Sequence, residues 1–119
     1  VSDKPRVRVA SYLSPPDFHR LNWACQPIRA AFPEYGVFLV GSATERPDFR
    51  DIDLRIIVPD KTYKRLCPTQ ARKLVLDIAL SDLVAKAASL PWPIDLQFQS
   101  MTEAQECAHK FRNPMGLPR

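Results

Sequence analysis

Twelve prolines against three glycines, spread over 119 residues, constrain this chain more than any other feature. A proline ring locks φ and removes a backbone donor, so helix interiors and central strands do not run through one undisturbed. The chain therefore divides into short segments. Ser14 before Pro15, Pro16 and Asp17 has the pattern of an N-cap with prolines in the first turn. Phe18, Leu21, Cys25, Ile28 and Phe32 follow at helical spacing, which predicts a helix over about 15–32, kinked at Pro27 and closed by Pro33. Val37 to Val40 predicts a first strand that stops at Gly41-Ser42, and Ala43 to Arg50 reads as a turn. Asp51 to Val58 predicts a second strand, ended by Pro59, with Asp51, Asp53 and Arg55 on one face.

Leu76, Leu80, Leu83 and Ala87 recur at helical spacing between Thr69 and Leu90, and Pro91-Trp92-Pro93 breaks that helix. Ile94 to Gln99 alternates apolar and polar residues throughout, a strand with one buried and one open face. Ser100 and Glu103 form a capping-box pattern for a last helix carrying Ala104, Cys107 and Phe111. The order α-β-turn-β-α-β-α predicts an α/β (α+β) fold around a small mixed three-stranded sheet, with helices mainly on one face. The length fits one domain over 1–119, with an N-terminal arm at 1–13 and a C-terminal tail at 113–119.

Hydrophobic residues at 45% and charged residues at 25% exclude a disordered or low-complexity chain. Lys+Arg 17 against Asp+Glu 13 leaves a modest basic excess, compatible with an anionic partner but not diagnostic of one. Cys25, Cys67 and Cys107 have no C-x-x-C spacing, and His19 and His109 have no partners at a metal-site spacing, so neither zinc nor a disulfide framework is expected. Free thiols point to a reducing, cytoplasmic setting, and no apolar run approaches the roughly 20 residues of a membrane span.

Two strands joined by a short turn are most simply antiparallel, which puts Gly41-Ser42 beside the start of the second strand. A helical crossover makes the third strand parallel to the second, and parallel strands begin at the same end. With neighbouring strands about 4.8 Å apart, Asp51, Asp53 and Asp95 converge beside the Gly-Ser turn. Clustered carboxylates repel one another unless cations neutralise them, and hard divalent cations take oxygen ligands. Small residues at the turn let backbone N–H groups approach a phosphate, Ser42 adds a hydroxyl, and Arg55 stands on the acidic face. The bland alternatives are a solvated strand start for Asp51 and Asp53, and for Asp95 the polar side of an exposed alternating face.

Leu39-Val40-Gly41-Ser42, then eight residues, then Asp51-Ile52-Asp53-Leu54, and later Ile94-Asp95-Leu96, resembles the signature of the DNA polymerase beta-like nucleotidyltransferase superfamily, in particular its minimal nucleotidyltransferase branch. The Arg-Gly common after the family's Gly-Ser pair is replaced here by Ala43-Thr44-Glu45-Arg46. The resemblance implies a metal-dependent, cytoplasmic nucleotidyltransferase with Mg²⁺ or Mn²⁺ as cofactor and a nucleoside triphosphate such as ATP as substrate. It assigns phosphate contacts to Gly41 and Ser42, metal binding to Asp51 and Asp53, and metal binding with deprotonation of the attacking hydroxyl to Asp95. The acceptor stays open between protein, RNA and small molecule. One small sheet offers few walls for base and acceptor, so a homodimer or a partner protein is expected to supply them. The rival reading is a catalytically reduced binding or regulatory module, such as an antitoxin-like partner.

Overall fold

The computed structural model of the protein describes residues 11–34, 36–107 and 111–118. Most of the expected N-terminal arm, residues 1–10, and His109 lie outside these.

Helix α1 spans Pro15–Ala31; the Ser14 hydroxyl accepts the Asp17 N–H at 3.3 Å, and both prolines sit in the first turn, where no intrahelical donor is required. Strand β1, Gly36–Val40, runs into a 3₁₀ turn at Gly41–Thr44, and β2 spans Ile52–Val58. Helix α2, Asp60–Leu66, was not expected from the sequence, because its polar run buries only Thr62 and packs Tyr63 and Leu66 against the core. Helix α3, Gln70–Ala88, starts at a Thr69 cap and stops where Ser89 turns left-handed at φ 55°. Strand β3 spans Ile94–Ser100, and α4, Met101–Glu106, opens on the expected capping box of Ser100 and Glu103. Phe111 lies beyond α4 rather than within it, and Asn113–Met115 form a fourth strand, β4.

The sheet order is β3-β2-β1-β4, with β2 antiparallel to β1 and parallel to β3. The three-stranded sheet expected from sequence is thus corrected to four, because residues read as tail pair antiparallel with β1. Three residues containing Pro114 carry no strand periodicity, yet a proline is tolerated on an edge strand. What holds this edge is Asn22 of α1, 1% exposed: its Oδ1 accepts the Gly116 and Leu117 N–H groups at 2.8 and 3.1 Å, and its Nδ2 donates to the Leu117 carbonyl at 2.8 Å. Gly116, at φ +77°, passes so close to α1 that a Cβ would lie 2.7 Å from the Cys25 carbonyl oxygen.

Leu39, Leu54 and Leu96 stand in one row across β1, β2 and β3, all fully buried with Leu21, Cys25 and Ile28 of α1 and Val84 and Ala88 of α3. Burial also pushes the Cys25 thiol up to about 12, which makes it an inert core residue. The inward stripe of α3 is Leu76, Leu80, Val84 and Ala88, whereas Leu83 is 49% exposed and Ala87 is exposed, a shift of the expected core face. Asp77 and Ser81, on the same helix, cover the outer edge of β3: Asp77 Oδ1 accepts the Phe98 N–H at 3.0 Å, and the Ser81 hydroxyl accepts the Leu96 N–H at 2.8 Å. An edge with its donors engaged cannot recruit another strand at those positions.

Candidate active site

The face of the sheet turned away from α1 and α3 carries Asp53 and Arg55 on β2 and Asp95 and Gln97 on β3. Asp53 is opposite Asp95 and Arg55 is opposite Gln97 in the parallel register, so each pair stands side by side on strands about 4.8 Å apart. Across the antiparallel pairing, Asp53 faces Val40, the last residue of β1. Gly41, which follows it, lies against the Asp53 side chain: a Cβ there would be 3.2 Å from Cγ and would collide with Oδ2. Gly41 also has φ +79°, a region that L side chains rarely adopt. Two independent reasons, backbone conformation and contact with the acid, therefore require glycine here.

The turn after Gly41 is closed from within. The Thr44 hydroxyl donates to the Gly41 carbonyl at 2.7 Å, and the Ser42 carbonyl accepts the Glu45 and Arg46 N–H groups at 3.0 and 2.9 Å. Ser42 itself is half-buried beside the acids' end of the sheet. Trp92, from the Pro91-Trp92-Pro93 break, packs on Phe49 with ring centroids 4.7 Å apart.

Arg55, expected on the acidic face beside the phosphate-binding turn, has its guanidinium folded along the strands. Nη1 donates to the Leu54 carbonyl at 2.8 Å and to the Asp95 carbonyl at 3.3 Å, and Nη2 lies 3.9 Å from Asp95 Oδ2. The Asp95 carboxylate also accepts the Gln97 side-chain amide, 3.3 Å from each oxygen. Asp51 does not share the strand with Asp53; it is exposed one residue before β2, where the Ile52 N–H already bonds to the Pro93 carbonyl at 2.9 Å. Arg46 pairs with Asp48 on the exposed loop at 3.5 Å.

A divalent cation fits part of this arrangement. The in-register carboxylates of Asp53 and Asp95 offer hard oxygen donors, and the absent Cβ of Gly41 leaves the Asp53 carboxylate its room. Among the described residues no group of three or more His, Cys, Asp or Glu side chains is spaced to hold a metal, so the expected three-carboxylate cluster of Asp51, Asp53 and Asp95 is not formed. Beside Asp95, between α3 and the outer edge of β3, a groove of about 360 Å³ is walled by Leu74, Ile78 and Ile94 with Lys73 and Gln97 at its polar side. Sequence reasoning passed over Gln97 and Lys73. The first was legible, two residues after Asp95 on the same face; the second lies 24 residues away on another element. No helix among the described residues is long and apolar enough to cross a membrane. No protein-family profile, curated protein or solved structure matches the chain.

Proposed function

We propose that this protein is a metal-dependent nucleotidyltransferase of the minimal, polymerase beta-like kind, working in the cytoplasm. The observation that carries the reading is the Asp53–Asp95 pair, in register on parallel strands, with Gly41 fitted against the Asp53 carboxylate. Asp53 and Asp95 would hold Mg²⁺ or Mn²⁺, and Asp51 would be the third carboxylate that the resemblance assigns to the metal. When bound, a divalent cation there would neutralise charge at the triphosphate and at the attacking oxygen. Gly41 and Ser42 would carry the phosphate tail along the start of the turn. An acceptor hydroxyl beside Asp95 would lose its proton to a carboxylate oxygen of that residue as its oxygen bonds to the α-phosphorus, and pyrophosphate would leave with the electrons of the broken P–O bond.

A second reading, the catalytically reduced binding module, is favoured by Arg55, which already pairs with Asp95, and by the absence, among the described residues, of a three-carboxylate cluster placed to hold a metal. Both readings meet in one experiment: pyrophosphate release from each of the four ribonucleoside triphosphates with Mg²⁺ or Mn²⁺, alongside thermal melts with and without metal. The enzyme reading expects a metal-dependent rise in Tm and turnover, both lost in Asp53→Asn. No metal response in the wild-type protein would leave the binding-module reading standing.

A further inference from the structure

Asp95 is held by a side chain that is itself held from a distant helix. Gln97 Nε2 donates to both Asp95 oxygens, and Gln97 Oε1 lies 3.4 Å from Lys73 Nζ on α3. A lysine ammonium can only donate and a carboxylate can only accept. The amide of Gln97 therefore has one orientation that satisfies both neighbours, with oxygen to Lys73 and nitrogen to Asp95; the flipped amide would set like partial charges against both.

Lys73 is not a loose surface cation. Its Nζ is 2.5 Å from Asp77 Oδ2, the two side chains being 15% and 11% exposed, and Asp77 Oδ1 accepts the Phe98 N–H of β3. The anchor of Lys73 is thus tied to the strand that carries Asp95 and Gln97. We infer that Lys73 and Gln97 are positioning residues, a relay from α3 that fixes the orientation of the Asp95 carboxylate before any ligand arrives. What the oriented carboxylate then does rests on the nucleotidyltransferase reading, whereas the relay itself does not.

Two readouts keep these apart. In the metal-free protein, the Gln97 side-chain NH₂ should give two well-separated proton resonances that shift in Asp95→Asn and in Lys73→Met, and that return toward wild type in Lys73→Arg. An amide whose resonances ignore Asp95→Asn overturns the relay, whatever the protein's activity. The second readout is Mn²⁺ affinity measured by electron paramagnetic resonance. Outer-shell partners of metal ligands typically cost about 10- to 100-fold in affinity, so Gln97→Met should weaken Mn²⁺ binding at least about 10-fold, with Lys73→Met in the same direction. Lys73→Arg should recover most of that loss. Gln97 is only half-buried, so its methionine variant should keep the wild-type Tm in the absence of metal even where Lys73→Met, which strips the Asp77 carboxylate of its ammonium partner, does not. A wild-type protein that binds Mn²⁺ with an affinity unchanged in Gln97→Met overturns the relay; one that binds no Mn²⁺ removes the nucleotidyltransferase reading and leaves the amide resonances to decide the relay.

Discussion

The two faces of the sheet are made by the same strands and hold their residues by different physics. On the helix-covered face Leu54, Ile56 and Leu96 have no exposure, and Phe98 meets Phe32 edge-on with ring centroids 5.1 Å apart. On the other face, one residue along each strand, Asp53, Arg55 and Gln97 are partly buried and the Asp95 side chain is 49% exposed, with Arg55 and Gln97 both meeting Asp95 through donors and acceptors. Apolar burial is additive and tolerant of direction; hydrogen bonds to a carboxylate need direction and give little net stability where water competes. Alternation lets β2 and β3 serve both purposes. Substitutions on the two faces should therefore separate stability from chemistry.

The largest effect belongs to the covered face. Phe98→Ala should cost about 3–5 kcal/mol of unfolding free energy in urea titration, through lost transfer energy and a cavity under Phe32. A loss below about 1 kcal/mol would mean that this layer is not what stabilises the sheet. Asn22→Ala comes next, at about 2 kcal/mol, because it strips the Gly116 and Leu117 backbone groups of their partner. Hydrogen exchange should show the Met115 amide opening faster than those of β2; uniform exchange would show that β4 does not depend on this latch.

Gly41→Ala sits at the junction of the two faces and should cost about 1–2 kcal/mol for the left-handed backbone alone. Its Cβ also displaces the Asp53 carboxylate, so any metal response or turnover should be lost by more than the stability change explains. On the polar face proper, Asp53→Asn should leave metal-free stability within about 0.5 kcal/mol or raise it slightly. Equal destabilisation by Asp53→Asn and Phe98→Ala would break the comparison between faces.

The smallest effect concerns pH. The Thr102 hydroxyl and N–H donate to Asp60, joining the start of α2 to α4, and those bonds hold its carboxyl below the usual range. A depressed carboxylate pKa contributes stability that is present above the unfolded value of about 4 and is lost as pH falls through the lower folded value. Asp60→Asn should flatten the acid limb of the stability curve there and leave neutral pH almost unchanged. An unchanged acid limb would assign that region to other carboxylates.

Local rules made much of this legible. The caps at Ser14 and Thr69, the capping box at Ser100 and Glu103, and the proline stops depend on neighbours a few residues away, and the structure has each of them. Turn length and crossover length decide strand direction, so the pairing of Asp53 with Asp95 could be inferred from their places in two strands. Asp51 could not be placed so simply, because alternation says which face a residue takes only while the strand lasts, and β2 begins at Ile52. Helical periodicity gave α3 its existence but not its rotation, since Leu74, Val75, Ile78 and Leu83 are apolar and exposed and blur the stripe.

By itself, then, the sequence determined the order of α1, β1, β2, α3, β3 and α4, the direction of the first three strands and the register that sets Asp53 beside Asp95, all of which follow from spacing within segments, while it missed α2 and β4 and expected Asp51 to join the two acids. Tertiary structure alone decided that β4 closes on β1, that Asp77 and Ser81 cover the edge of β3, that Arg55 turns toward Asp95, and that Lys73 reaches Gln97. Each of these joins polar groups on separate elements, from Asn22 to Leu117 at the longest. A hydrogen bond forms within a few tenths of an ångström or not at all, and only the packed core brings distant donors and acceptors to that distance.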